Sequence, residues 1–190
     1  MGKIFCIIGK MASGKDVVCS TLLEQKKKLK KLVSYTTRAP LNDEVDGIHY
    51  YFVTNEYIAK KEKEGKLIEK TILNTENGLE TYATIDDEQV AFTNGSYIAI
   101  KDPAGAQKIR DYYGKDKVII IHITVDDGIR LMRALTREMT HPYPQYAEMC
   151  NRYLDEELEF ANIQCDFVCQ NADLFKCVDE VKRIIKENRK

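Results

Sequence analysis

The run from Gly9 to Asp16, G-K-M-A-S-G-K-D, is the feature that most limits what this chain can fold into. It has the G-x-x-x-x-G-K spacing of a phosphate-binding loop, with Asp16 where Ser or Thr is usual. Its glycines let successive backbone N–H groups turn toward one anion, and Lys15 adds a positive charge. The apolar segment Ile4 to Ile8 precedes the loop, and helically spaced apolar residues follow it. We therefore predict a strand, a phosphate-binding loop and a helix, in that order.

Composition narrows the class of protein. With 190 residues, 44% of them hydrophobic, the chain can bury the core of a single domain. A net charge of −1 gives no reason to expect nucleic acid as a partner. We interpret the basic run Lys26 to Lys31 as the solvated end of the first helix. Because no apolar run could span a membrane, no signal peptide opens the sequence and the six cysteines form no C-x-x-C pair, we expect a cytoplasmic protein with reduced thiols and no membrane contact.

Segments with the apolar pattern of strands alternate along the chain with segments that have the apolar spacing of helices. This order predicts an α/β fold with a parallel sheet flanked by helices. The strand candidates are Ile4–Ile8, Tyr97–Ile100 and Val118–Ile123, with Leu32–Tyr35 and Asp166–Cys169 weaker. The helix candidates are Lys15–Leu29, Ala104–Tyr113, Asp127–Glu138, Gln145–Asn162 and Leu174–Glu187. Two segments interrupt this alternation. We interpret Asn42 to Asp86, with its short helix near Tyr57–Glu64 and its turn signal Asn77-Gly78, as a largely antiparallel lobe, and Thr136 to Tyr146 as a polar insertion.

Arginines indicate what happens to the bound phosphate. Arg38 follows a strand candidate, and Arg130, Arg133 and Arg137 share one face of a predicted helix. Arg152 lies in the next helix. Phosphoryl transfer needs positively charged protein groups placed against the transferred phosphate, and it needs little covalent chemistry from the protein. Planar guanidinium groups supply this positive charge. The alternative is that these arginines pair with Glu138, Glu148 or Asp155 on solvated faces. This is the interpretation favoured for Arg130 but not for Arg38.

These features resemble guanylate kinase from about Lys3 to Arg183, most specifically in Val33 to Pro40 followed by Glu44 to Phe52. The resemblance implies a P-loop core with a small mixed α/β acceptor-binding lobe and a short lid. It implies one domain over residues 1–190, with the core at about 1–33, 95–125 and 163–190. The GMP-binding lobe then covers about 34–94 and the lid about 126–162. The implied activity is ATP-dependent phosphorylation of GMP or dGMP, without an obligate protein partner.

The resemblance also assigns site residues. It places ATP against Gly9, Lys10, Met11, Ala12, Ser13, Gly14, Lys15, Asp16 and Asn171. It places GMP against Ser34, Arg38, Tyr50, Glu69, Tyr82, Thr84 and Asp102. The residues expected to act on the migrating phosphate are Lys15, Arg38, Arg133, Arg137 and Arg152. The Glu69 carboxylate suits guanine, whose edge offers N–H donors, whereas adenine would oppose it with a lone pair.

Three positions depart from the family pattern. Leu41 and Ile100 stand where an arginine and an aspartate are common, and Asp16 replaces the hydroxyl that usually ligates Mg²⁺. A carboxylate is itself a good ligand for Mg²⁺, which we expect as the cofactor that accompanies ATP. The departures keep open a kinase for another nucleoside monophosphate. A catalytically weak binding module is the alternative from a different functional class.

Overall fold

The computed structural model describes residues 2–25, 28–41, 43–75 and 78–189. Strands and helices alternate through most of this chain. The strands are β1 Ile4–Ile8, β2 Leu29–Lys31, β3 Tyr35–Thr36, β4 Tyr51–Phe52, β5 Leu67–Thr75, β6 Gly78–Ile85, β7 Ser96–Ile100, β8 Val118–Thr124 and β9 Phe167–Gln170. The helices are α1 Lys15–Gln25, α2 Asn55–Lys63, α3 Pro103–Tyr113, α4 Asp127–Thr140, α5 Tyr146–Glu159 and α6 Leu174–Glu187. A single 3-10 turn covers Phe92–Asn94.

Five strands form a parallel sheet in the order β2-β7-β1-β8-β9. The predicted α/β fold with a parallel sheet flanked by helices is therefore confirmed. The central strand β1 is fully buried along its whole length, as expected for a strand covered on both faces. Its side chains alternate between two cores: Phe5 and Ile7 pack with residues of α1 and α6, while Ile4, Cys6 and Ile8 pack with residues of α3.

A second sheet, in the order β4-β3-β6-β5, forms the core of the inserted lobe. The β3–β6 and β5–β6 pairs are antiparallel, while β3 and β4 run parallel, so the predicted lobe is largely antiparallel. In the β5–β6 register Glu69 lies opposite Thr84 and Thr71 lies opposite Tyr82. Side chains two residues apart share a face of a strand, so these four side chains point to one side of the hairpin.

The structure corrects several element boundaries. The predicted first helix Lys15–Leu29 ends at Gln25, and Leu29–Lys31 forms the edge strand β2. The interpretation of the basic run as a helix end is therefore wrong for its last three residues, because Leu29 is buried against the sheet. Lys26, Lys27 and the turn residue Asn77 lie outside the described residues. The segment predicted as a polar insertion is helical up to Thr140, and residues 141–145 alone separate α4 from α5.

The pKa values of the cysteine thiols depend on how deeply the strands and helices that carry them are buried. Burial raises the pKa of Cys6 to about 12, of Cys169 to about 12 and of Cys177 to about 11. The pKa of the Cys19 thiol is also raised by burial. All of these cysteines are free, and Cys150 on α5 is exposed. Among the described helices, none is long and apolar enough to cross a membrane.

Candidate active site

The phosphate loop, residues Gly9–Asp16, lies where the sheet reverses its strand order, at the carboxyl end of β1. In open α/β sheets this is the position of ligand sites. Gly14 has a φ of 85°, and a Cβ added there would lie 2.2 Å from Nδ2 of Asn171. A Cβ on Gly9 would lie 2.7 Å from the carbonyl oxygen of Ile123. Both glycines are therefore required by close contacts with neighbouring strands, in addition to any contact with phosphate.

Asn171 and Glu156 hold the phosphate loop through hydrogen bonds to its backbone. The side-chain amide of Asn171 donates to the Ser13 carbonyl at 2.8 Å, and the Asn171 backbone N–H donates to the Thr124 carbonyl at 2.7 Å. The backbone N–H of Met11 donates to Oε2 of Glu156 at 2.7 Å. Asn171 is buried, so in this structure it supports the loop, and its contact with adenine stays a prediction. Glu156 was missed from the sequence, because nothing in its local pattern ties it to a loop 145 residues away.

A lysine lies near each end of the loop, at Lys10 and Lys15. Lys10 pairs with Glu157 at 2.5 Å between Nζ and Oε1. Nζ of Lys15 lies 3.7 Å from Oδ2 of Asp16, whose side chain is 74% exposed. An acidic residue in the first turn of α1 is also stabilised by the positive end of the helix. The lysine at the start of α1 is thus held near an open carboxylate.

Of the three arginines predicted to act from α4 and α5, one lies beside the phosphate loop and two are largely exposed. Arg133 lies beside the loop: its Nη2 donates to the Asn171 carbonyl at 3.4 Å, and its Nη1 is 3.7 Å from a Cβ built on Gly14. Nε of Arg152 lies 3.5 Å from Oε1 of Glu156, the residue that holds the phosphate loop, and the Arg152 side chain is 60% exposed. Arg137 lies farther along α4, also 60% exposed, and contacts Glu138 at 4.0 Å. The structure therefore brings Arg133 to the phosphate loop and leaves Arg137 toward solvent.

Arg130 is buried, which the sequence interpretation did not anticipate. It pairs with Asp127 through Nε, with Glu156 through Nη1 and with Glu157 through Nη2, and its guanidinium carbon lies 4.3 Å from the ring centroid of Tyr153. Pairing with acidic residues is observed, but the expected partners Glu138, Glu148 and Asp155 are wrong. The solvated face is also wrong, because α4 and α5 close over this side chain. Arg130 therefore links both helices to the Glu156 that holds the loop.

In the lobe, Arg38 forms a two-point ion pair with Glu44, at 2.6 Å and 2.7 Å. It also donates to the Tyr82 hydroxyl and to the Ala39 carbonyl. These contacts use four of its five N–H groups, so within the described residues one N–H on Nη2 is left for an anion. Pairing with an acid was the alternative not favoured for Arg38, so that preference is wrong. Glu44 belongs to the segment that carries the family resemblance, and no local spacing reveals its partner.

Aromatic rings surround this guanidinium. Its central carbon lies 5.2 Å from the ring centroid of Tyr50 and 5.9 Å from that of Phe52. Tyr50 in turn meets Tyr82 edge to face, with 5.8 Å between centroids. Leu41, one of the departures, has an exposed side chain, and its backbone N–H donates to Oε2 of Glu44. The predicted residues Arg38, Tyr50 and Tyr82 thus form one cluster.

The Arg38–Glu44 pair predicts acid sensitivity. The hydrogen bonds from Arg38 hold the pKa of the Glu44 carboxyl at about 2, below its ordinary 4.5. A carboxyl group whose pKa is lower in the folded than in the unfolded protein stabilises the fold at pH values above its unfolded-state pKa. This stabilisation is lost as the pH falls through its folded-state pKa. We expect Glu44→Gln to show a smaller loss of unfolding free energy than wild type between pH 4.5 and about 2. Denaturant unfolding across this range measures it, with the exposed Glu148→Gln as control. Equal pH slopes for wild type and Glu44→Gln would contradict the assignment.

A second cluster lies where the lobe meets the core. Oε1 of Glu69 accepts from the Thr84 hydroxyl at 2.6 Å and from Nζ of Lys101 at 2.6 Å. Nζ of Lys101 also donates to the Ser34 hydroxyl at 2.9 Å and to the Thr84 hydroxyl. The structure therefore brings the predicted Ser34, Glu69 and Thr84 together. It adds Lys101, which could not be predicted from the sequence because its partners are 17 to 67 residues away along the chain.

Asp102 immediately precedes helix α3, beside this cluster. Its Oδ1 accepts from the Gly105 backbone N–H at 2.6 Å, which caps the helix, and its Oδ2 accepts from the Thr71 hydroxyl at 3.2 Å. A Cβ on Gly105 would lie 3.5 Å from Oε2 of Glu69, so the first turn of α3 packs directly on that carboxylate. Ile100, the other departure, packs against the core of the parallel sheet.

Comparisons with known proteins agree with this geometry. A family model described as guanylate kinase matches residues 1–188. A guanylate kinase of Symbiobacterium thermophilum is 28% identical over 191 residues, 97% of this chain and 84% of that protein. A guanylate kinase of Porphyromonas gingivalis is 25% identical and covers 98% of both chains. The crystal structure of guanylate kinase from Anaplasma phagocytophilum shares the fold, with a TM-score of 0.70 at 24% identity over 99% of this chain and 86% of that one. The chain belongs to the guanylate kinase family.

Proposed function

We propose that this protein transfers the γ-phosphoryl group of ATP to GMP, and to its deoxy form dGMP, giving ADP and the nucleoside diphosphate. The observation that carries the proposal is the buried Glu69 carboxylate, which pairs with Lys101. The backbone N–H of Lys101 donates to Ile7 of β1, the strand that leads into the phosphate loop with Gly9, Gly14 and Lys15. A carboxylate has about four acceptor positions, and Lys101 and Thr84 occupy two of those on Glu69. The positions left match the N1–H and N2–H donors on the edge of guanine.

The transfer needs positioning and charge more than covalent chemistry. An oxygen of the GMP phosphate attacks the γ-phosphorus of ATP, the bond from that phosphorus to the β–γ bridging oxygen breaks, and ADP leaves with the electron pair. The attacking oxygen is already ionised near neutral pH, because the second pKa of a phosphate monoester is about 6, so no general base is required. This agrees with a site in which no histidine is assigned a role.

We assign roles to residues on this basis. The loop residues Gly9–Asp16 cradle the ATP phosphates, and Lys15 with Arg133 stabilises the charge that moves toward ADP. Arg38, Tyr50 and Tyr82 hold the acceptor phosphate, and Ser34, Glu69, Thr84 and Asp102 hold the base. Arg137 and Arg152 complete the site when α4 and α5 move toward the nucleotides. The corresponding division is a core at about 1–33, 95–125 and 163–190, a lobe at 34–94 and a lid at 126–162.

Asp16 fits a role toward Mg²⁺. Magnesium prefers hard oxygen ligands and is often bound through one or two carboxylates together with substrate phosphates and water. The exposed Asp16 carboxylate at the end of the loop is such a ligand, and in the described part of the chain no cluster of three or more metal-binding side chains offers a rival site. Asp16 would hold the ion beside the loop, and the ion would offset the negative charge that develops on the phosphates during transfer.

Nucleotide selectivity tests the proposal. We expect ADP release to be fastest with GMP and dGMP, with kcat/KM at least about a hundredfold above that for AMP, CMP or UMP, because a site built for hydrogen bonds rejects bases that leave its groups unpaired. Glu69→Gln keeps the size but replaces one acceptor with a donor, and should reduce the lead of GMP over AMP by at least about tenfold. Glu62→Gln removes a carboxylate that pairs with Lys70 and serves as the control.

Two outcomes would contradict the proposal. Equal use of AMP and GMP by the wild-type protein would refute the assignment of guanine. Binding of GMP and ATP by calorimetry without any ADP release, over a full titration of Mg²⁺, would instead indicate a binding module.

A further inference from the structure

Lys101 lies at the centre of the proposed base pocket. It follows β7 directly, and its backbone N–H donates to the Ile7 carbonyl at 3.1 Å, so the main chain is fixed to the central strand. Its side chain is 8% exposed and the side chain of Glu69 is 4% exposed. A lysine ammonium has three N–H donors, and the structure gives it three acceptors, on Ser34, Glu69 and Thr84.

Two of these acceptors are exchangeable. Serine and threonine hydroxyls both donate and accept, so each can release the ammonium and turn toward another partner. Glu69 is different, since a buried carboxylate without a cation is costly. The ammonium can therefore stay on Glu69 and still offer an N–H to an incoming acceptor. Side by side, Lys101 and Glu69 present a donor next to an acceptor.

We propose that Lys101 is a specificity-determining residue that donates a hydrogen bond to the 6-oxo group of the acceptor base. This inference rests on the proposed function and deepens it. A 6-oxopurine presents the O6 acceptor beside the N1–H donor, which matches Lys101 beside Glu69. Adenine presents the reverse order, an amino donor beside a lone pair. It would oppose the ammonium with N–H groups and the carboxylate with a lone pair, so Lys101 adds a second penalty to the one that Glu69 imposes.

Base analogues separate the two contacts in the wild-type protein. 6-Thio-GMP keeps N1–H and the 2-amino group but replaces O6 with sulfur, a weak acceptor. IMP keeps O6 and N1–H but lacks the 2-amino group. We expect kcat/KM for 6-thio-GMP to be roughly ten- to a hundredfold below that for GMP, the effect of losing a hydrogen bond to a charged group. Equal kcat/KM values for the two would overturn the proposal without any variant.

Substitutions then assign each contact to its residue. Lys101→Met keeps the length of the side chain and removes its donors. It should abolish the preference for GMP over 6-thio-GMP while the preference for GMP over IMP persists. Glu69→Gln should reduce the preference for GMP over IMP and keep a preference over 6-thio-GMP. These ratios compare substrates within one protein, so a general loss of activity cancels from them.

The outcomes distinguish this inference from its alternatives. If Lys101→Met lowers kcat/KM for GMP and 6-thio-GMP by the same factor, Lys101 only neutralises Glu69 and the inference is wrong. If Lys101→Met melts below the assay temperature, the comparison of GMP with 6-thio-GMP in wild type decides. Failure of the proposed function has its own signature, which is a wild-type protein that uses AMP or a pyrimidine nucleotide as well as GMP.

Discussion

Replacing Lys15 with alanine is expected to lower kcat by about a thousandfold or more and to leave the melting temperature close to that of wild type. Lys15 occupies the loop position whose charge counts most as negative charge moves toward ADP. Nζ of Lys15 lies 3.7 Å from Oδ2 of Asp16, whose side chain is largely exposed. Such a surface pair contributes about 0–1 kcal/mol to stability, so its loss should be felt in the reaction and not in the fold.

Lys108→Ala is the matched control for this experiment, because Lys108 is an exposed lysine on α3 away from the loop. Single-turnover rates and thermal melts should be recorded for both variants and for wild type. Turnover by Lys15→Ala within about tenfold of wild type would remove the loop lysine from the mechanism that we propose.

Arg130→Met is expected to lower the free energy of unfolding by about 3–5 kcal/mol, the range for a buried ion pair that loses one partner. Arg130 pairs with three carboxylates, on Asp127, Glu156 and Glu157, and the variant would leave the buried Glu156 without this partner. For a chain of this length, the loss corresponds to a fall in melting temperature of roughly 6–20 °C. Chemical denaturation with both a spectroscopic and an activity readout measures it.

Arg183→Met provides the comparison, since Arg183 also pairs with a glutamate, Glu187, but its side chain is 60% exposed. We expect this control to change stability by less than about 1 kcal/mol. The double variant Arg130→Met/Glu156→Gln should recover part of the loss, because one unpaired charge is removed with the arginine. An Arg130→Met protein as stable as Arg183→Met would show that the buried cluster contributes little.

The sequence predicted the core well because local patterns determine it. Continuous apolar runs placed β1 and β8, and helical spacing placed α6 with its observed bounds. The phosphate loop was recognisable because its chemistry depends on neighbouring residues along the chain. Short strands such as β2 and β3 were misplaced, since two or three residues carry little periodicity and pair through contacts distant in sequence.

The site could be predicted only in part, for a related physical reason. Ser34, Glu69 and Thr84 were named singly, and the structure unites them through Lys101, which a different sheet supplies. Arg38 was expected to face phosphate, yet its partner Glu44 became visible only in three dimensions. Pairings of opposite charges across long loops leave no periodic signal in a sequence, so the acid partners of arginines were misjudged.

The distribution of thiols has a consequence for handling and labelling the protein. The thiolate is the reactive form of cysteine, so burial that raises a thiol pKa slows alkylation, oxidation and disulfide exchange alike. Cys6, Cys19, Cys169 and Cys177 are protected in this way. The pKa of the partly buried Cys165 is also raised by burial. Electrophiles are therefore expected to react first with the exposed Cys150. A fluorophore attached there would lie on α5, the helix whose Glu156 holds the phosphate loop.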